Sequence, residues 1–191
     1  DIMYFSNKIS QYAEDININV KINYSRVKKM TVIAFLSALT SVFQCFGDLA
    51  PGIGYLISPL ATAPIFISTI FSISYGIIGY ILTMLLLLAF MPSEIILFAF
   101  TTGLLGISLG IGFLCLGRRI YIIAFSAVML LAGISILLYA FQIPVLGPAV
   151  SYDFNIKKLF FVYIFGFLYS WLWTELIIII LKRLKKVLFY Y

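Results

Sequence analysis

The groups in this sequence that could do chemistry are its few acidic residues, because the chain of 191 residues contains seven Asp and Glu and no His. Without histidine, a Ser-His-Asp triad and an HExxH zinc site are both excluded. Catalysis by paired carboxyl groups inside a membrane would need two acids buried together, and only Glu175 lies well inside an apolar stretch. We therefore predict that the protein is not an enzyme and has no catalytic residue, metal site or cofactor.

Three other acids, Asp48, Glu94 and Asp153, lie where long apolar stretches end. A cavity that brought two of these carboxylates together would favour a cationic or hydrogen-bond-donating small molecule. Nearby aromatic and polar side chains could complete such a binding site, and the further candidates are Tyr55, Tyr152 and Asn155. The alternative is that acids collect at this side only because basic residues collect at the other.

Glu175 lies about 26 Å from the outer end of its predicted helix, at 1.5 Å per residue. This depth predicts a position near the inner membrane interface rather than at the bilayer centre. We expect the carboxylate to pair there with Lys182 or Arg118. A role in coupling or in docking a partner is the alternative.

The composition is that of a membrane protein, since 63% of the residues are hydrophobic and 10% are charged, against about 25% charged residues in a typical soluble domain. The length fits one domain. The net charge of +6 is carried mostly by residues that flank apolar stretches. Such residues orient membrane helices, so binding to nucleic acid is not expected.

We predict an all-α integral membrane protein with six transmembrane spans. The length of each span is judged against the roughly 20 residues that a helix needs to cross a bilayer. Spans 1 to 6 are expected at about 30–46, 53–72, 75–91, 94–116, 119–142 and 158–181. Six spans put nine flanking basic residues on one side and only Lys157 and Lys158 on the other. The positive-inside rule then places both termini in the cytoplasm. The nine residues are Arg26, Lys28, Lys29, Arg118, Arg119, Lys182, Arg183, Lys185 and Lys186.

This order divides the chain into a cytoplasmic polar leader at 1–29, a transmembrane domain at 30–185 and a cytoplasmic tail at 186–191. In the leader, Ile9, Tyr12, Ile16 and Val20 recur at steps of three and four residues. The spacing indicates an amphipathic helix that lies on the membrane surface. A disordered tail is the alternative.

Span 2 contains Pro59 and Pro64, each of which removes a backbone hydrogen-bond donor from a helix. Carbonyl groups freed in this way must be satisfied by protein or lie against a water-filled cavity. Two interpretations follow: a simple kink, or an outer half of span 2 that lines a binding cavity or forms its lid. In the second, Gly47, Gly52 and Gly54 give the preceding loop freedom to move.

Small residues at helical spacing mark two faces where another helix could approach closely. In span 4, Gly103, Gly106 and Gly110 are three and four residues apart and predict packing inside the chain. In span 1, Ala34 and Ala38 are four residues apart, about one helical turn. They form a shallow groove for a helix of this chain or of another protein.

Six short helices with both termini inside, a glycine-rich first outer loop and the Ala34-xxx-Ala38 pair together resemble the S components of energy-coupling factor (ECF) transporters. That family captures vitamins and related micronutrients in prokaryotic plasma membranes. The resemblance, over about residues 30–185, implies a substrate-capture subunit that docks through Ala34 and Ala38 on a membrane coupling protein. The resemblance also implies two ATPase subunits. This chain has no Walker A pattern, so any ATP hydrolysis would be supplied by partners. A non-transporting membrane scaffold of the cell-shape or sporulation type is the alternative.

Overall fold

The computed structural model describes residues 9–50, 52–143 and 156–189, and these residues form helices and no strand. Helix α1 is Gln11–Asn23, α2 is Arg26–Leu49 and α3 is the short Gly54–Ile57, followed by a 3₁₀ turn at Ser58–Ala61. The remaining helices are α4 (Thr62–Phe71), α5 (Ile73–Phe90), α6 (Ser93–Phe100), α7 (Thr102–Cys115), α8 (Arg119–Tyr139) and α9 (Ile156–Phe189). The all-α prediction is confirmed for the described residues.

Five of the described helical segments are long and apolar enough to cross a membrane. They are α2, α5, α6 with α7, α8 and the Phe160–Lys186 part of α9. Their number indicates a multi-pass membrane protein. The segment predicted as span 2 is different, because its apolar helical part, Ser58–Phe71, is shorter than these five.

This short segment nevertheless connects the two ends of the bundle. The short pass starts beside Glu94 at Ser58 and ends at Phe71, whose carbonyl group accepts a hydrogen bond from Asn17 of α1. We call the end of the bundle near Asn17, Arg119 and Lys185 the basic end. The opposite end, near Gln44 and Glu94, is the cavity end.

The helix predicted at about 53–72 is present as three consecutive helical pieces, Gly54–Ile57, the 3₁₀ turn Ser58–Ala61 and Thr62–Phe71. Pro59 lies in the 3₁₀ turn and Pro64 lies in the first turn of α4. A proline is tolerated in a first turn, because the amide groups there have no partner within the helix. The two prolines therefore divide the segment into three short pieces.

Helix α1 forms as the leader's periodicity predicts, and it packs across the basic end of the bundle. Ala13, Ile16 and Val20 are fully buried and join the core cluster that contains Trp173 and Ile177 of α9. The Asn17 amide donates to the carbonyl oxygens of Ile70 and Phe71, at 2.8 and 3.0 Å. These carbonyl groups belong to the last residues of α4, where no amide group of the same helix is available to donate to them. Helix α1 therefore caps α4 as well as covering the core.

The predicted glycine face of span 4 is confirmed as an internal packing surface. A Cβ at Gly106 would lie 2.9 Å from Cβ of Ile65, and at Gly110 there is no room for one beside Thr69. Both neighbours belong to α4. Gly103 instead lies under the rings of Phe98 and Tyr80. Close helix contacts of this kind replace the hydrophobic driving force that lipid does not supply.

Candidate ligand-binding cavity

A cavity of about 480 Å³ opens at the cavity end, between α2 and α6 on one side and α8 and α9 on the other. Most of its wall is apolar, with the polar groups gathered on α2, α6 and the start of α7. This is the usual composition of a small-molecule site. The lining residues are Gln44, Gly47, Ser58, Pro59, Glu94, Leu97, Thr101, Thr102, Leu130, Ile134, Ile143, Phe165 and Tyr169.

Glu94 is the charged group of this cavity, and its side chain is only 3% exposed. Its Oε2 accepts a hydrogen bond of 2.6 Å from the Gln44 amide, whose own oxygen accepts one of 2.8 Å from the Thr102 hydroxyl. Glu94 also lies in the first turn of α6, where the helix dipole favours a negative charge. The carboxylate is thus held in one orientation by groups from three helices.

Asp48, near the C-terminal end of α2, lies beside Glu94. Its carboxylate accepts a hydrogen bond of 2.7 Å from the Ser93 hydroxyl and interacts electrostatically with Glu94. Asp48 is exposed, whereas Glu94 is buried. The structure therefore brings together two of the three acids predicted at this side.

The helix predicted as span 4 is interrupted beside the cavity at Thr101, where the backbone leaves the helical conformation (φ −121°, ψ −90°). The Phe100 carbonyl group then points at Gly133 of α8, where there is no room for a Cβ. The Ala99 carbonyl group accepts a hydrogen bond of 2.8 Å from the Tyr80 hydroxyl. Helix breaks at membrane depth are tolerated where the freed groups are satisfied or line a cavity. Here the Tyr80 hydroxyl satisfies the Ala99 carbonyl group, and Thr101 lines the cavity.

Pro59 lines the cavity as the second interpretation of span 2 predicts, together with Ser58. The expected role of the glycines is corrected, however. Gly47 is buried inside α2, where a Cβ would lie 3.2 Å from Oε1 of Glu94, and Gly54 leaves no room for a Cβ beside the Phe46 carbonyl group. Of these three glycines, only Gly52 has a left-handed backbone, with φ of 91°. Close contact, rather than freedom to move, explains Gly47 and Gly54.

The other candidate ligand residues have separate outcomes. Tyr55 lies in helix α3, and its side chain falls outside the described part of the chain. Tyr152, Asp153 and Asn155 also lie outside the described residues. Their proposed roles stay predictions.

Sequence reasoning missed several wall residues. Phe165 and Tyr169 of α9 stack with ring centroids 5.9 Å apart and planes inclined by 13°. Their spacing of four residues on one helix was a signal that could have identified the pair. Gln44 and Thr102 were also missed, although a Gln inside an apolar span is itself a sign of a polar contact.

Ala34 and Ala38, the candidate docking residues, are exposed on the outer face of α2. The opposite face of the same helix makes the close internal contact, where the buried Ser37 hydroxyl donates to the Gly79 carbonyl group at 3.1 Å. The two alanines are therefore not used for packing within the described chain.

Glu175 forms an ion pair with Arg119, with Oε1 3.5 Å from Nε. The prediction of Lys182 or Arg118 as its partner is wrong. Arg119 is 7% exposed, whereas Arg118 is exposed, because successive residues at the start of α8 point in directions about 100° apart. The pair lies at the basic end, and the expected depth of Glu175 near the inner membrane interface stays a prediction.

Among the described residues, no group of three Cys, Asp or Glu side chains could hold a metal ion. The two cysteines are both free, Cys45 being partly buried and Cys115 exposed. Comparisons of the chain with protein-family models, with curated proteins and with solved structures found no match.

Proposed function

We propose that this chain is the substrate-capture subunit of an ECF-type importer in a prokaryotic plasma membrane. The cavity carries the proposal: it has a volume of about 480 Å³ and an oriented carboxylate in its wall. Cavities of about 300–1,000 Å³ hold small molecules, and a micronutrient is of this size. The protein binds its ligand without transforming it and uses no cofactor.

In this proposal the chain has six spans, with both termini inside and the cavity end outside. The short segment supports it, because Ser58 lies beside Glu94 at one end of the bundle and Phe71 contacts Asn17 at the other. So does the charge distribution, because the nine flanking basic residues belong to the opposite end. The short pass through Ser58–Phe71 would cross only part of the bilayer as a helix, with α3 and the preceding turn completing it.

The proposed partner is a membrane coupling protein that works with two ATPase subunits. The outward position of Ala34 and Ala38 supports docking through α2, because small side chains let a second helix approach closely. Since the inner face of α2 is already occupied by α5, a partner helix has to use the outer face.

Capture is tested by extracting the full chain in detergent and identifying the small molecules that it retains by mass spectrometry. We expect one compound at about one equivalent per chain in the wild type. Ile134→Phe, which fills the cavity wall, should lose it, whereas Ile136→Phe on the 41% exposed face of the same helix should keep it. A chain that retains nothing would contradict capture and favour the alternative of a non-transporting membrane scaffold. Equal retention by both variants would contradict capture in this cavity.

Docking is tested by co-expressing the chain with candidate coupling proteins and ATPases and measuring complex formation. Ala34→Leu with Ala38→Leu should lower complex formation about tenfold or more, since overpacking a close contact costs about 1–3 kcal/mol. The matched control is Ala89→Leu with Ala132→Leu, two exposed alanines on other helices. Equal complex formation by both double variants would remove these alanines from the proposal.

A further inference from the structure

Glu94 is a buried carboxylate, and none of the described residues forms an ion pair with it. Within the described part of the chain, ion pairs join Arg119 with Glu175 and Lys185 with Asp15, and neither involves Glu94. Its polar partner is the neutral amide of Gln44. Burying an ionised group is costly unless an opposite charge accompanies it. An arriving cation would supply that charge.

The carboxylate of Asp48, beside Glu94, also favours a positive charge at this position. Asp48 interacts electrostatically with Glu94 and carries the same charge, and its own hydrogen bond comes from the neutral Ser93 hydroxyl. Two carboxylates close together repel each other most strongly where water is excluded. A positive group bound at Glu94 would relieve this repulsion as well as pair with the buried acid.

The rest of the cavity is built for an apolar or planar body rather than for a bare ion. The stacked rings of Phe165 and Tyr169 come from α9, whereas the carboxylate and its amide partner come from α6 and α2. Leu97, Leu130 and Ile134 complete the wall. A metal ion would leave most of about 480 Å³ unfilled, and aromatic faces attract organic cations.

We propose that the cavity takes a small organic cation, such as an ammonium or amidinium compound, with its charged head at Glu94 and its body against Phe165 and Tyr169. This inference rests on the proposed function and names the substrate class of the same cavity.

The test uses two sets of compounds that are matched in shape and differ in charge. The first set is benzamidine, benzamide and benzoate, and the second is choline, 3,3-dimethylbutanol and 3,3-dimethylbutanoate. Each compound is titrated up to millimolar concentration against the detergent-solubilised full chain, and the thermal unfolding midpoint gives its apparent Kd. In at least one set we expect the cation to bind best and the anion worst.

Glu94→Gln should weaken binding of that cation by about ten- to a hundredfold, as for loss of a charge-assisted hydrogen bond. Binding of the neutral compound should change by less than about threefold. Asp15→Asn, which neutralises a carboxylate at the other end of the bundle, is the matched control and should change neither. Should Glu94→Gln fold poorly, Phe165→Leu on the partly exposed aromatic wall should weaken the cation about three- to tenfold.

Two results would overturn the cation proposal while leaving capture intact. One is tighter binding of a neutral or anionic compound, lost in Ile134→Phe. The other is cation binding that is equal in wild type, Glu94→Gln and Phe165→Leu. Absence of binding by all six compounds would also overturn it, and the retained-ligand experiment would then decide the proposed function separately.

Discussion

Each end of the bundle contains a glutamate that contacts another helix, and the surroundings of the two glutamates differ. At the basic end, Glu175 faces the Arg119 guanidinium group at 3.5 Å. At the cavity end, Glu94 faces an amide and a second carboxylate, and it lines an open cavity. The basic end contains its own countercharge, whereas no described residue supplies one to Glu94 at the cavity end.

The two ends also differ in how completely other parts of the chain cover and stabilise them. Helix α1 covers the basic end with fully buried apolar side chains, caps α4 through Asn17 and is attached to α9 by a 2.6 Å ion pair between Asp15 and Lys185. The cavity end has two interrupted helical segments, at Ser58 and Thr101. Native proteins concentrate such irregularities at functional sites and compensate for them elsewhere. The comparison supports the proposal that one end stabilises the protein and the other binds a ligand.

The first way to break this comparison is to ask whether the two ends lie on opposite sides of a membrane. In cells, an impermeant maleimide should label Ser93→Cys in a Cys45→Ala, Cys115→Ala background nearly completely. Native Cys115, in a Cys45→Ala background, should label only after permeabilisation. Both positions are exposed, so accessibility should depend on the side alone.

A third position tests the six-span order itself. Ser25→Cys in the cysteine-free background should behave like Cys115, because the short pass through 58–71 returns the chain to the basic end. Labelling of Ser25→Cys from the same side as Ser93→Cys would mean that the short pass does not cross. Labelling of Cys115 but not Ser93→Cys in intact cells would invert the topology.

The second prediction compares the two glutamates as stabilising groups. Glu175→Gln takes the carboxylate away from the buried Arg119 and should lower the unfolding free energy by about 1.5–3 kcal/mol. Glu94→Gln, measured without ligand, should change it by less than about 1 kcal/mol, because it also removes repulsion from Asp48. SDS titration of both variants in mixed micelles gives the comparison. A larger loss for Glu94→Gln would mean that the cavity acid is mainly structural.

The smallest expected effect concerns the cover of the basic end. Asn17→Ala removes both hydrogen bonds to the end of α4 and should lower the unfolding free energy by about 1–2 kcal/mol. The control is Asn19→Ala, which is the same substitution in the same helix and therefore changes the helix propensity by the same amount. Ligand retention should be the same in both variants. If Asn17→Ala abolished retention, the separation of stability from binding would fail.

Much of this arrangement could be predicted from the sequence, because the strongest signals are local. Apolar length and flanking charge predict the passes of the chain, and the ends of those passes predict that Asp48 and Glu94 lie at the same side. The periodicity of 9–20 predicts α1. It does not distinguish a lipid surface from a protein surface, since both are apolar, and α1 packs on protein.

What sequence reasoning missed depends on the rotation of helices and on contacts between distant residues. Arg119 rather than Arg118 meets Glu175 because α8 is rotated so that Arg119 faces inward. The interruption at Thr101 has no proline to mark it and depends on the space that Gly133 leaves for a carbonyl group. The aromatic wall of α9 becomes part of a cavity only because residues of α2, α6 and α8, which are distant in sequence, complete its lining.

The position of α1 also constrains the order in which the molecule is assembled. Asp15 and Lys185 are 170 residues apart in sequence, and the core around Ile16 includes Trp173 and Leu181 of the last helix. During synthesis α1 leaves the ribosome before α9, yet α9 supplies much of the surface on which α1 rests. Helix α1 can therefore dock fully only after α9 is made, and its docking joins two segments that are far apart in sequence.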